Sequence, residues 1–226
     1  MTLRALTLSL ALATPLAAQD CTEDAMIVFD GSGSMAEMGF NQLDEPRIVS
    51  ARRAVAEAVP DIARQRRLGL VVYGPGGGDF CAGIDLRFPP IAEAGPRIVA
   101  AVNGLEPAGD TALTEAVTLA AKTLDHRNRP GAIVLVTDGK DTCGGTPCRR
   151  AVDLAAEARD LTIHVIGFKV RGAFFAWGSQ GASDYTEAET NVRCMAEATG
   201  GLFLDTETAE ELEAAFRRTL GCHLLF

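Results

Sequence analysis

Beyond residue 18, the sequence contains no run of about 20 apolar residues, which is the length that a membrane-spanning helix needs. The rest of the chain is therefore not expected to span a membrane. The first 18 residues, MTLRALTLSLALATPLAA, combine one arginine, an apolar stretch and a small-residue end, a pattern typical of secretory signal peptides. We predict a signal peptide over residues 1–18 and a single domain over residues 19–226, in a protein that is periplasmic or secreted.

Positive charge is also scarce in this chain. Its 226 residues include 21 Lys and Arg against 30 Asp and Glu, which gives a formal net charge of −9. A protein with this balance repels a phosphate backbone at long range, so a nucleic-acid partner is disfavoured. The 47% hydrophobic content is sufficient for one domain with a sizeable core.

Histidine is rare, and no Cys-x-x-Cys pair occurs. The three histidines are scattered along the chain, which disfavours a zinc site. The chain has six cysteines, all after the predicted signal peptide, and an even number in an exported chain predicts three disulfides. Pairing of Cys21 with Cys222 is favoured because it would tie the two ends of the domain together. The pairing of Cys81, Cys143, Cys148 and Cys194 stays open, and one option is that Cys143 and Cys148 close the small loop CGGTPC.

Apolar runs alternate with helical patterns along the chain. The predicted strands are 25–30, 68–73, 84–88, 132–137, 162–168 and 201–205. The predicted helices are 46–59, 96–103, 112–124, 148–159, 187–198 and 208–219. This alternation favours an α/β fold with an open, doubly wound, mostly parallel sheet and helices on both faces. The glycine-rich segment between the strands 68–73 and 84–88 predicts a hairpin that adds one antiparallel edge strand.

The stretch FDGSGSM at residues 29–35 follows the first predicted strand and allows several interpretations. Its glycine spacing fits a dinucleotide-binding loop. In such a loop a helix follows immediately, whereas here the segment AEMGFNQLDEP separates the glycines from the next predicted helix. A phosphate-binding P-loop needs Gly-Lys-Ser/Thr and a nucleophile elbow needs Gly-x-Ser-x-Gly, and the stretch has neither. Its hard oxygen ligands on a short loop suit a cation such as Mg²⁺. Taken alone, the stretch still allows a plain turn.

Two other loops favour the cation. In an open α/β sheet, ligands bind beyond the carboxyl ends of the strands, at the crevice where the strand order reverses. Asp30 ends the first predicted strand, Asp138 follows the strand 132–137, and Thr111 precedes the helix that leads into that strand. If the two strands are neighbours, their loops converge. Five oxygen-bearing side chains would then meet: Asp30, Ser32, Ser34, Thr111 and Asp138.

The order of these motifs resembles the von Willebrand factor type A (VWA) domain family. The motifs are Asp-x-Ser-x-Ser at 30–34, Thr111 after a glycine-rich turn, and Thr-Asp-Gly at 137–139. In this family the three loops form a metal-ion-dependent adhesion site (MIDAS). The resemblance covers roughly residues 22–220. The segments VTDGKDTCGGTPC, LTIHVIGF and CMAEATGGLFLDTETAEEL are most similar to exported bacterial VWA proteins.

The resemblance implies a binding site for a divalent metal. The hydroxyls of Ser32, Ser34 and Thr111 would be direct or near-direct ligands, while Asp30 and Asp138 would hold metal-bound waters and orient the serines. We expect Mg²⁺, with Mn²⁺ or Ca²⁺ also possible. One coordination position would remain for an Asp or Glu side chain of a protein partner. The resemblance thus implies a protein-binding module and not an enzyme.

Two other functions remain as alternatives. An exported metal-dependent hydrolase would use the same ion as a Lewis acid, but no general base stands out, and His164 in mid-strand is better explained as a core residue. In a structural scaffold, the metal would only stabilise the loops. The long loop 169–186 contains several aromatic residues and has no clear period, so its role stays open.

Overall fold

A computed structural model describes residues 23–38, 45–76, 79, 81–168 and 192–221. Three sequence predictions fall outside these residues: the signal peptide over 1–18, the Cys21–Cys222 disulfide and the role of the loop 169–186. Within the described ranges, no helix combines the length and apolar character that crossing a membrane requires.

Six strands form one sheet in the order β3-β2-β1-β4-β5-β6. All neighbouring pairs are parallel except β2 with β3, which are antiparallel. The strands are β1 (Asp24–Asp30), β2 (Leu68–Tyr73), β3 (Ile84–Ile91), β4 (Pro130–Thr137), β5 (Asp160–Phe168) and β6 (Phe203–Thr206). The predicted fold class, a doubly wound, mostly parallel sheet with one antiparallel edge strand, is confirmed.

Helices cover both faces of the sheet. They are α1 (Arg47–Ala63), α2 (Gly95–Asn103), α3 (Leu113–Thr123), α4 (Pro147–Glu157), α5 (192–198) and α6 (Ala209–Leu220). A short 3₁₀ helix, Gly33–Ala36, follows β1. One hydrophobic core joins the sheet to α1, α2 and α6, and a second core joins it to α3, α4 and α5.

The central strands β1 and β4 are buried on both faces. In β1, Ile27 and Phe29 belong to the core beneath α1, while Met26 and Val28 belong to the core beneath α3. Side chains alternate between the faces of a strand, so a strand between two helical layers must be apolar at every position. This requirement explains why continuous apolar runs, and not alternating ones, mark the central strands in the sequence.

Prolines account for two differences from the predicted boundaries. Strand β3 continues to Ile91 through Pro89 and Pro90, which an edge strand tolerates because one side of it needs no ladder hydrogen bonds. Helix α1 continues to Ala63 past Pro60, although Pro60 has no N–H to donate. Ile62 and Ala63 are buried in the core, and this packing outweighs the local preference to stop.

The described disulfides join Cys81 to Cys143 and Cys148 to Cys194, with Cα–Cα distances of 5.6 and 5.4 Å. The suggested Cys143–Cys148 pairing is therefore wrong. Although five residues apart, the two cysteines belong to different parts of the fold. Cys143 lies in the loop that follows β4, whereas Cys148 lies in the first turn of α4.

His164 is a half-buried residue of β5 and not the core residue that the sequence suggests, and we expect it to make stability depend on pH. Its Nδ1 atom accepts a hydrogen bond from the backbone N–H of Leu202 at 3.0 Å. Burial, with a smaller contribution from the charge of Arg66, lowers the pKa of His164 from 6.5 to about 4. Between these values the unfolded chain binds more protons than the folded protein, so stability falls as pH decreases from 6.5 towards 4.

We expect His164→Asn to remove part of this acid sensitivity, because the asparagine oxygen can replace Nδ1 as acceptor without titrating. The expected reduction in the loss of unfolding free energy between pH 6.5 and 4 is about 1–2 kcal/mol, allowing for partial exposure of the ring. Urea unfolding at a series of pH values measures it. If the free energy of unfolding depends on pH in the same way in the variant and the wild type, His164 is not the group responsible.

Candidate metal centre

The carboxyl ends of β1 and β4 lie side by side, because Phe29 of β1 is paired with Val136 of β4. This is the point at which the strand order reverses. The loop after β1 is also joined to the loop before α3 by two backbone hydrogen bonds, from Gly33 N to Gly109 O (3.0 Å) and from Ala108 N to Gly31 O (2.9 Å). The three loops that carry the predicted site residues therefore converge at one edge of the sheet.

Asp30 is fully buried, and both of its carboxylate oxygens accept hydrogen bonds. Oδ1 accepts from the backbone N–H of Ser32 at 2.8 Å. Oδ2 accepts from the hydroxyls of Tyr73 at 2.8 Å and Thr137 at 3.0 Å. Burial and the Asp30 charge raise the pKa of Tyr73 well above its usual value, so its phenol stays protonated and donates. Hydrogen bonds from the protein thus fix the orientation of Asp30.

Ser32, Ser34 and Asp138 continue from Asp30 as a chain of oxygen atoms. The hydroxyls of Ser32 and Ser34 are 3.1 Å apart. Ser34 donates to Asp138 Oδ1 at 2.8 Å. Hydrogen bonds therefore join four of the five predicted residues in the order Asp30, Ser32, Ser34 and Asp138. Asp138 comes from the loop after β4, and the two serines come from the loop after β1.

Asp138 carries the feature that fits a cation. Its side chain is 1% exposed, and its Oδ2 atom makes no hydrogen bond. Burial, with a further contribution from the charge of Asp30, raises the pKa of Asp138 to about 7. Two buried carboxylates, one of which has an oxygen without a hydrogen bond, and two serine hydroxyls form a donor set that suits a hard divalent ion.

Thr111 lies on the neighbouring loop and is also buried. Its backbone N–H donates to Thr142 Oγ1 at 2.8 Å, and its carbonyl accepts from Thr142 N at 3.0 Å. Among the described residues, no hydrogen bond joins its hydroxyl to the other four side chains. Thr111 therefore lies on a loop that is hydrogen-bonded to the loop after β1, but it is not part of the hydrogen-bonded cluster of the other four side chains.

Asp141 has a role that sequence reasoning missed. Its carboxylate accepts backbone hydrogen bonds from Thr114 (2.9 Å), Cys143 (2.9 Å) and Gly145 (3.0 Å). It thereby joins the loop after β4 to the first turn of α3. The nearby Asp-x-Cys-x-Gly spacing is typical of a local turn, but nothing in the sequence indicates the bond to Thr114.

Two further groups close the cluster. The Cys81–Cys143 disulfide joins the β2–β3 connection to the loop after β4, and Cys81 Sγ lies 4.0 Å from Asp110 Oδ2. Cys81, Asp110 and Cys143 are close enough to share a metal, but disulfide sulfurs are not thiolate ligands. On the other side, Arg47 Nη1 donates to the carbonyl of Ser34 at 3.0 Å and lies 3.6 Å from Asp138 Oδ2.

Glycines are required in this cluster by close approach of neighbouring segments. A Cβ on Gly31 would lie 2.9 Å from Pro75 Cδ and 3.1 Å from the carbonyl of Tyr73. Gly74 has φ +109°, and a Cβ there would lie 2.4 Å from the backbone nitrogen of Ser32. The β1 loop therefore packs directly against the end of β2, which explains how Tyr73 reaches Asp30.

Similar known proteins support the family resemblance. The chain is 25% identical over 222 residues to the uncharacterized protein YwmD of Bacillus subtilis (strain 168), covering 94% of this chain and 92% of that protein. BatB of Bacteroides thetaiotaomicron has the same fold, with a TM-score of 0.61, 19% identity and coverage of 88% of this chain and 97% of that one.

A second similar structure is that of proximal thread matrix protein 1 from the mussel byssus, determined with its MIDAS motif occupied by zinc. Its TM-score is 0.56 at 16% identity, over 90% of this chain and 48% of that one. The von Willebrand factor type A domain family itself matches residues 25–140, which is about half of the chain and includes all five predicted site residues. The chain therefore belongs to the von Willebrand factor type A domain family.

Proposed function

We propose that this protein is an exported VWA domain that binds a protein partner through a divalent metal. Asp30, Ser32, Ser34, Thr111 and Asp138 would hold the ion. The observation that carries the proposal is the buried Asp138 Oδ2 atom, which has no hydrogen bond in a cluster of converging oxygen side chains. The zinc-occupied MIDAS motif of the mussel protein supports a metal at this place in the fold.

The bound metal would supply an acceptor for one anionic oxygen, such as an Asp or Glu carboxylate of the partner. The residues of this chain orient the site: Asp30 is fixed by Tyr73 and Thr137, and Asp138 is fixed by Ser34. Because hydroxyl ligands leave much of the charge of the ion uncompensated, a carboxylate partner is favoured over a neutral one. Mg²⁺ is the favoured ion, with Mn²⁺ and Ca²⁺ as alternatives.

The described residues favour binding over catalysis. A hydrolase needs a general base near the reacting atoms. His126 lies at the other end of α3, where its Nδ1 contacts the Ala121 carbonyl at 3.0 Å, and His164 contacts the Leu202 backbone in mid-sheet. Within the part of the chain that the structure describes, neither histidine contacts the site. We therefore propose a binding protein and not an enzyme.

Export is supported by the cysteines. The structure contains two disulfides among the described residues, and disulfides form and persist mainly in oxidising compartments outside the cytoplasm. Together with the predicted signal peptide over 1–18, they favour a periplasmic or secreted domain over residues 19–226. Detection of the protein in the periplasmic or culture fraction, with the first 18 residues removed, tests this part of the proposal.

The metal site is tested by titrating MnCl₂ and MgCl₂ into the purified protein by calorimetry. We expect Asp138→Asn to weaken the affinity about 10- to 100-fold, because it removes one of the two carboxylates. Asp110→Asn is the matched control, since it removes the same charge from an exposed side chain beside Thr111 and should change the affinity less than about threefold. Equal effects of the two variants, or no binding by the wild type, would refute the site.

Partner binding is tested by capture from the native cell envelope with Mn²⁺ or with EDTA. We expect proteins that are retained with Mn²⁺, released by EDTA and absent with Asp138→Asn. If the metal raises the melting temperature but no protein is retained, the metal is structural and the domain is a scaffold. Turnover of a generic phosphoester that Asp138→Asn abolishes would support a hydrolase instead.

A further inference from the structure

Arg47 occupies a position that is electrostatically unfavourable. It is the first residue of α1, where the helix dipole places partial positive charge and disfavours a cation. Its side chain is only 8% exposed, and its Nε atom is buried without a hydrogen bond. A buried arginine needs compensating negative charge, so the groups around its guanidinium should explain its place.

The compensating groups belong to the candidate metal centre. Arg47 Nη1 lies 3.6 Å from the unsatisfied Oδ2 atom of Asp138, the same oxygen that fits a cation. It also donates to the carbonyl of Ser34 at 3.0 Å, within the Asp-x-Ser-x-Ser loop. On its outer side, the same atom lies 3.5 Å from Oε2 of Glu37, whose side chain is 70% exposed.

We propose that Arg47 is a built-in counter-cation of the metal centre, which competes with the divalent ion for Asp138 and sets the metal concentration at which the site fills. This inference rests on the proposed metal-binding function. Without metal, Arg47 compensates the charge of Asp138. With metal, two cations would face one carboxylate, and Glu37, which already lies 3.5 Å from Arg47 Nη1, would remain as the carboxylate partner of the guanidinium.

Competition by Arg47 has a measurable consequence. A fixed positive charge this close to a buried site opposes a divalent ion strongly, because the surrounding protein screens poorly. The wild-type site should therefore bind metal more weakly than its oxygen donors alone would allow. It should also keep its loops folded in the absence of metal.

The test is calorimetric titration of MnCl₂ into the wild type and three variants. Arg47→Gln keeps a donor for the Ser34 carbonyl but removes the charge, and we expect it to bind Mn²⁺ at least about tenfold more tightly. Arg47→Lys keeps the charge and should stay within about threefold of the wild type. Arg53→Met is the matched control on the same helix. Its exposed guanidinium pairs with Glu45, and its removal should change the affinity less than about twofold.

If Arg47→Gln is the only variant that binds Mn²⁺ more tightly than the wild type, the inference is supported. Unchanged or weaker binding by Arg47→Gln, or equal tightening by Arg53→Met, overturns it. If Arg47→Gln does not unfold cooperatively in EDTA, recovery of a cooperative transition on adding Mn²⁺ supports the inference, and failure to recover overturns it. Absence of Mn²⁺ binding by the wild type would refute the metal-binding function itself, which is a separate outcome.

Discussion

Replacing Asp30 with alanine should lower the free energy of unfolding by about 3–5 kcal/mol, because it removes the acceptor of three buried hydrogen bonds. The donors left without a partner are the hydroxyls of Tyr73 and Thr137 and the backbone N–H of Ser32. The same change removes a carboxylate from the candidate metal centre, so Mn²⁺ binding should be lost. Urea unfolding in EDTA measures the first effect, and calorimetric titration measures the second.

Asp30→Asn separates the two roles of this residue. The amide keeps one acceptor oxygen, and the two hydroxyls can accept from its NH₂ group, so most of the hydrogen-bond network survives. Loss of the charge also relieves repulsion with Asp138, whose raised pKa partly reflects Asp30. We expect a stability change within about 1 kcal/mol of the wild type but a loss of Mn²⁺ affinity of at least about tenfold. Stability losses of equal size in both variants would contradict the role assigned to the hydrogen bonds.

Removing either described disulfide should destabilise the protein by about 3–4 kcal/mol, since both close long loops. The sequence separations are 62 residues for Cys81–Cys143 and 46 for Cys148–Cys194. Removing either disulfide should therefore increase the conformational entropy of the unfolded chain by a similar amount. Only the first disulfide connects loops at the candidate metal centre. We therefore expect the Cys81→Ser/Cys143→Ser double variant also to weaken Mn²⁺ binding, about three- to tenfold.

The Cys148→Ser/Cys194→Ser double variant is the matched control, because its disulfide joins α4 to α5, away from the three loops. It should lose stability without losing Mn²⁺ affinity, measured where both variants are folded. If the two double variants have the same Mn²⁺ affinity, the Cys81–Cys143 disulfide has no part in shaping the site.

Much of the fold follows from the sequence because its signals are local. Continuous apolar runs mark β1 and β4, since both faces of a central strand are buried. The predicted helix 208–219 is found as α6 (Ala209–Leu220), whose start is stabilised by a short-range capping box of Thr208 and Glu211. The convergence of Asp30 and Asp138 could also be predicted, because the ends of neighbouring parallel strands meet at one edge of a sheet.

Other features were decided only by the tertiary structure, because they join residues that are far apart in the chain. Tyr73 and Thr137 are 43 and 107 residues from Asp30, and both reach it only through the packing of strand ends. The pairing of Cys143 with Cys81, and not with the nearby Cys148, depends on how two loops face each other. The position of Arg47 beside Asp138 depends on where α1 begins relative to β4. The sequence by itself determined the order of strands and helices along the chain and the five oxygen side chains that could meet. The tertiary structure decided the partners of those side chains, because the partners depend on loop packing that no local pattern specifies.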